Sequence, residues 1–75
     1  MEIKKNIGLR IKELRTKLGI SQQELSYRCD LDRTYITSVE NGKRNISIVN
    51  LEKIAHALNL TIKDFFDDDK FNQLA

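Results

Sequence analysis

The residues best equipped for chemistry lie together between Arg33 and Asn45. In the stretch RTYITSVENGKRN, Arg33, Thr34, Tyr35, Thr37 and Ser38 are hydrogen-bonding groups, and only Ile36 and Val39 are apolar at a spacing that one helical face would bury. Packing claims those two positions and leaves the polar ones for a partner. An arginine at the N-terminal end of such a helix can donate two bonds to guanine O6 and N7, a contact worth about 1–3 kcal/mol in discrimination. Thr34 and Ser38 suit base edges or phosphates, and Tyr35 suits a phosphate or the groove rim. Arg33, Thr34, Tyr35, Thr37 and Ser38 are therefore the candidate base-reading set. Lys43, Arg44 and Asn45 follow where a loop leaving the groove would lie along the backbone, and Gln22 sits at a helix N-terminus suited to phosphate.

No other constellation competes with this one. Cys29 is a lone cysteine and reads as a small packing residue, with only Arg28 nearby to lower its pKa. His56 has no ligand partners at metal spacing, and no catalytic triad or phosphate loop occurs. We expect no enzyme activity, cofactor, metal or small-molecule ligand. No apolar run reaches signal-peptide or membrane-span length, so the expected location is the cytoplasm, with no membrane partner. The net charge of +2 is unevenly spread. Residues 1 to 63 carry 12 Lys/Arg against 7 Asp/Glu, whereas 64 to 75 carry one Lys against four Asp, so an acidic tail masks a basic body.

The elements that position these residues are helices, because apolar residues recur at three and four residue spacing and proline is absent. The pattern predicts five, over about Ile3–Leu18, Gln22–Cys29, Arg33–Glu40, Ile48–Leu58 and Ile62–Phe66. Gly19 ends the first. Ser21 and Glu24 form a capping box for the second, Asp30 is a left-handed turn residue, and Asp32, Ser47 and Thr61 cap the remaining three. The second and third helices, joined by a tight turn, make a helix-turn-helix. Residues 1–66 form the DNA-binding domain, and 67–75 an acidic tail, either disordered or a short helical extension.

Seventy-five residues form one small domain with roughly 3–5 kcal/mol of net stability. The core is expected to contain Ile7, Ile11, Leu14, Leu18, Leu25, Leu31, Ile36, Val39, Leu51, Ile54 and Leu58. That leaves surplus apolar surface, and Ile48, Ile62, Phe65 and Phe66 are assigned to a two-fold interface, with core packing an equal alternative for each aromatic. A homodimer would set two recognition helices about 34–36 Å apart on a palindrome.

The stretch ISQQELSYRCDLDRTYITSVENGKRNIS resembles the XRE or lambda-repressor-like helix-turn-helix family. LDRTYI, RNIS and NLEKIAHALNL resemble the controller proteins of restriction-modification systems, over about Ile7 to Phe66. The resemblance implies an all-α, five-helix bundle whose dimers bind palindromic operators beside their own gene, activating at one occupancy and repressing at a higher one. It implies base reading by Arg33, Thr34 and Ser38 with Tyr35 close to the DNA, and phosphate contacts from Gln22, Arg44, Asn45 and Ser47. It also implies an ion pair between Arg15 and Glu40. Asp30 departs from the usual glycine and Ser26 from the usual alanine. The tail DDDKFNQLA follows no family pattern, and contact with RNA polymerase is a further partner to consider. A phage-type repressor or antitoxin of the same fold, or a protein-interaction module, remains the alternative.

Overall fold

The computed structural model describes residues 2–74, and among them every regular element is helical. Helices α1 (Ile3–Leu18), α2 (Gln22–Cys29), α3 (Arg33–Glu40), α4 (Ile48–Ala57) and α5 (Ile62–Phe66) are followed by a 3-10 turn at Asp69–Phe71. Their starts are local in origin. Ser21, Ser47 and Thr61 each accept a bond from the amide three residues on, at 3.0, 3.1 and 3.1 Å, which satisfies a donor that a helix start leaves open. Two expected caps are incomplete. Glu24 does not return a bond to Ser21 but pairs with Arg28, one helical turn on, at 3.1 Å. Asp32 occupies the N-cap position of α3, yet its exposed carboxylate makes no capping bond.

The ends are equally local. Gly19, Asp30, Gly42 and Asn59 all take positive φ, and each lies where the chain must leave a helix sharply. At Asp30 the left-handed turn costs something that glycine would not, but a short polar side chain tolerates it. Asn59 was not anticipated. It ends α4 at Ala57, one residue earlier than expected, with the Leu60 amide bonded back to the Ala55 carbonyl at 2.9 Å.

Helix α1 packs on α3, α2 on α3 and α4, and α5 on α4. The core gathers Ile7, Ile11, Leu25, Cys29, Ile36, Val39, Leu51, Ile54, Ala55, Leu58 and Phe65. Two placements correct the sequence reading. Phe65 is 0% exposed and so belongs to the core, not to a two-fold interface. Leu18 is 43% exposed, because α1 outruns the body it packs on in its last turn. Leu14 and Leu31 lie partly buried against the core.

The α1–α3 contact depends on a missing side chain. A Cβ at Gly8 would stand 2.3 Å from the Val39 carbonyl oxygen and 2.6 Å from that of Glu40. Both obstacles are backbone, so neither can swing aside. Gly8→Ala should therefore force α1 from α3 and destabilise the domain by about 1–3 kcal/mol in spite of alanine's better helix propensity. Urea unfolding of the two proteins measures this; a variant as stable as wild type would refute it.

Candidate nucleic-acid interface

Ser26 sits almost fully buried in α2, and its hydroxyl donates to the Gln23 carbonyl at 2.7 Å, so a small residue stands where α2 and α3 come together without leaving a polar group unmet. Ile36 and Val39 sink into the core and thereby rotate α3 so that Arg33 and Thr34 are exposed. Tyr35, Thr37 and Ser38 are half-buried on the flanks.

One network around the buried Glu40 fixes that rotation. Arg15 of α1 meets Glu40 of α3 in a two-pronged pair, Nε to Oε2 at 2.7 Å and Nη2 to Oε1 at 3.0 Å, while Nη1 donates to the Ile20 carbonyl at 2.9 Å. The hydrogen bond to Glu40 holds the guanidinium pKa above its ordinary value against the opposing effect of burial. Glu40 also accepts from Gln22 Nε2 at 3.1 Å, and Gln22 Oε1 accepts from the Thr37 hydroxyl at 2.9 Å.

Donor accounting then narrows the roles of these groups. Thr37 has one proton, and both acceptors in reach are internal, Gln22 Oε1 and the Arg33 carbonyl at 3.0 Å. Outward it offers lone pairs and a methyl group. Gln22 keeps one amide hydrogen unengaged. Tyr35 accepts from Asn50 Nδ2 at 3.1 Å and retains its own proton, and the Arg44 guanidinium lies 4.9 Å from the centre of its ring. Lys43, Arg44, Asn45 and Ser47 are all exposed along the exit from α3. Lys5 lies against Gly42, its Cα 3.0 Å from where a Cβ there would be, which adds a cation to this edge.

Sequence reasoning missed Asn50 and Lys5. A polar residue in the first turn of α4 carries no local sign of a tyrosine fifteen positions away, and the approach of α1 to the exit loop is a property of the assembled bundle.

The chain matches the helix-turn-helix family over residues 11–65. It is 48% identical over 68 residues to the control protein C.MunI of a Mycoplasma species, covering 89% of this chain and 92% of that protein. With control protein C.BamHI of Bacillus amyloliquefaciens it shares 44% identity over 61 residues, 80% of this chain and 75% of the relative. The chain belongs to the helix-turn-helix family of restriction-modification controller proteins. The crystal structure of the controller protein C.AhdI from Aeromonas hydrophila superposes with a TM-score of 0.83 at 41% identity, covering 88% of this chain and all of the other. The controller C.Esp1396I, solved as a tetramer in complex with its natural 35 base-pair operator, gives 0.81 at 36% identity over 85% of this chain and 84% of its own.

Burial pushes the Cys29 thiol pKa up, which disfavours the reactive thiolate. Among the described residues no cluster of His, Cys, Asp or Glu could hold a metal, and no helix is long and apolar enough to cross a membrane.

Removing one member of the buried pair should be costly. Arg15→Met leaves the Glu40 carboxylate without its cation, with only the Gln22 amide bonded to it, and is expected to cost about 3 kcal/mol in urea unfolding. The double variant Arg15→Met with Glu40→Leu should return to within about 1 kcal/mol of wild type, since apolar replacement of a buried pair is often neutral. A double variant no more stable than Arg15→Met would show that the pair's cost does not lie in the orphaned carboxylate.

Proposed function

We propose that this chain is a dimeric, sequence-specific transcription regulator, a restriction-modification controller that binds symmetrical sites upstream of its own gene. The observation that carries the reading is the Arg15–Glu40–Gln22–Thr37 network. It fixes α3 at a single rotation, with Arg33 and Thr34 exposed and a basic exit loop directly after them. The relative solved on its operator supports DNA as the partner.

Arg33 with Thr34 and Ser38 sets sequence, with Tyr35 and the outward face of Thr37 beside them. Gln22, Lys43, Arg44, Asn45 and Ser47 hold phosphates, and the counterions they release make affinity fall steeply with salt. A second copy supplies the other half-site. Its contact surface draws on Ile48 and neighbouring Val49, 83% and 63% exposed, and on the half-buried Ile62 and Phe66 of α5. Residues 1–66 hold both the DNA-binding and the dimerisation surfaces. The mechanism is binding without catalysis, the setting is the cytoplasm, and RNA polymerase is the partner through which occupancy becomes activation or repression.

Footprinting on the DNA upstream of the chain's own gene tests this reading. Wild type should protect a symmetrical site. Arg33→Ala should lose about 1–3 kcal/mol of specific affinity and relax one position per half-site, whereas Lys43→Ala should weaken all DNA alike and lower the salt slope by about one. Equal losses on specific and random DNA for Arg33→Ala would remove it from base reading. A wild-type protein that binds random DNA as well as that fragment would remove self-regulation.

A further inference from the structure

Helix α5 has five residues, whereas an isolated helix in water needs about 12–15 to persist. Its orientation must come from outside. Phe65 anchors one side in the core, and Arg10 of α1 holds the other end. Arg10 Nε donates to the Phe65 carbonyl at 2.7 Å, Nη2 donates to the Asp64 carbonyl at 2.9 Å, and Nη1 pairs with Asp68 Oδ2 at 3.3 Å. A cation is thus placed at the C-terminal end of α5, on the Phe65 carbonyl and beside the Asp67 amide on the Asp64 carbonyl.

The tail closes the arrangement. Asp68 Oδ1 accepts from Lys70 Nζ at 2.8 Å and from the Lys70 amide at 3.0 Å, and Lys70 Nζ reaches Glu13 of α1 at 3.2 Å. Asn6 Nδ2 donates to the Lys70 carbonyl at 3.2 Å. Asn6, Arg10 and Glu13 follow one another at four and three residue spacing, so a single face of α1 receives the tail. Phe71 then meets the ring of Phe66 edge-on at 4.9 Å, and Phe65 meets that ring from elsewhere at 5.2 Å. The segment 68–71 of the acidic tail is therefore docked on the body. Asn6, Arg10, Asp68, Lys70 and Phe71 all lie outside the segment shared with the helix-turn-helix family.

We propose that this clip positions the subunit interface: Arg10, acting through the C-terminal carbonyls of α5, fixes the face on which Ile62 and Phe66 meet a second copy of the chain. The proposal rests on the dimer reading above. Ile62 and Phe66 are only partly buried within one chain, and α5 packs on α4, whose first turn exposes Ile48 and Val49. Arg10 is a positioning residue, because it acts on the interface only through α5.

Sedimentation equilibrium of the full chain, paired with operator titration at protein concentrations above the dimer dissociation constant, tests it. Arg10→Met keeps the aliphatic stem and loses every donor. Its dimer constant should weaken by at least about tenfold while operator affinity of the preformed dimer stays at the wild-type value. Arg10→Lys, able to reach one carbonyl, should recover part of the loss, and Asp68→Asn, which keeps both carbonyl bonds, should weaken the dimer less than Arg10→Met. An unchanged dimer constant in Arg10→Met overturns the proposal, as does a parallel fall in dimerisation, operator affinity and thermal stability. Should Arg10→Met fail to fold, Arg10→Lys decides, because it loses at least one of the two carbonyl bonds, and a wild-type dimer constant there overturns the proposal. A wild-type chain that stays monomeric at every concentration overturns the dimer reading itself, a result visible before any variant is made.

Discussion

Taking a carboxylate such as Glu40 out of water costs several kcal/mol unless a cation meets it in good geometry. Arg15 does so with two parallel bonds, and the third guanidinium nitrogen is satisfied by the Ile20 carbonyl. A pair of that kind adds little net stability compared with an apolar replacement. What it adds is direction. Leucine and isoleucine could fill the same space in several rotations of α3, but the planar guanidinium donates to both carboxylate oxygens in only one. With Gln22 and Thr37 joined to Glu40, that rotation passes to both helices of the turn, and Gly8 lets the α3 carbonyls approach α1 closely enough for the pair to form.

What remains outside the network is what is free to meet a partner. A buried polar side chain must spend its hydrogen bonds internally, so the interface is composed of groups with a donor or acceptor left over. Arg33 and Thr34 are exposed and make no side-chain bond within the described residues. Thr37 has given up its proton, Gln22 half of its amide, and Tyr35 one acceptor position. Arg44 is held over the Tyr35 ring, which restricts a flexible side chain and lowers the entropy it would lose in any further contact.

Those features that depend on a few neighbouring residues were legible in the sequence. Ser21, Ser47 and Thr61 announce helix starts, Gly19 and Gly42 announce ends, and the apolar pair Ile36 and Val39 amid polar residues gives the orientation of α3. Features that depend on which surfaces meet were not. Phe65 and Phe66 are identical in type and adjacent, yet one is sealed in the core and the other half-exposed, because a one-residue step along a helix turns the side chain by about 100° and only the packed bundle says which way is inward. Arg10 looks like a solvated charge on an amphipathic helix. Its carbonyl partners lie more than fifty residues away.

The same distinction alters the electrostatic account. Counting Lys and Arg against Asp and Glu suggests a basic body screened by an acidic tail, but several of those charges pair with one another in the folded chain. Asp68 is matched by Arg10 and Lys70, and the bonds from Lys70 hold its carboxyl pKa below the ordinary value, so this part of the tail presents compensated charge. Arg15 and Arg28 are likewise engaged with Glu40 and Glu24. Arg33, Lys43 and Arg44 make no ion pair among the described residues, and all three fall on α3 or its exit. Counterion release scales with the phosphates that such uncommitted cations neutralise. A near-neutral chain can therefore bind DNA through a local field, because Arg33, Lys43 and Arg44 lie together on α3 and its exit, while Arg10, Arg15, Arg28 and Lys70 are engaged with carboxylates elsewhere.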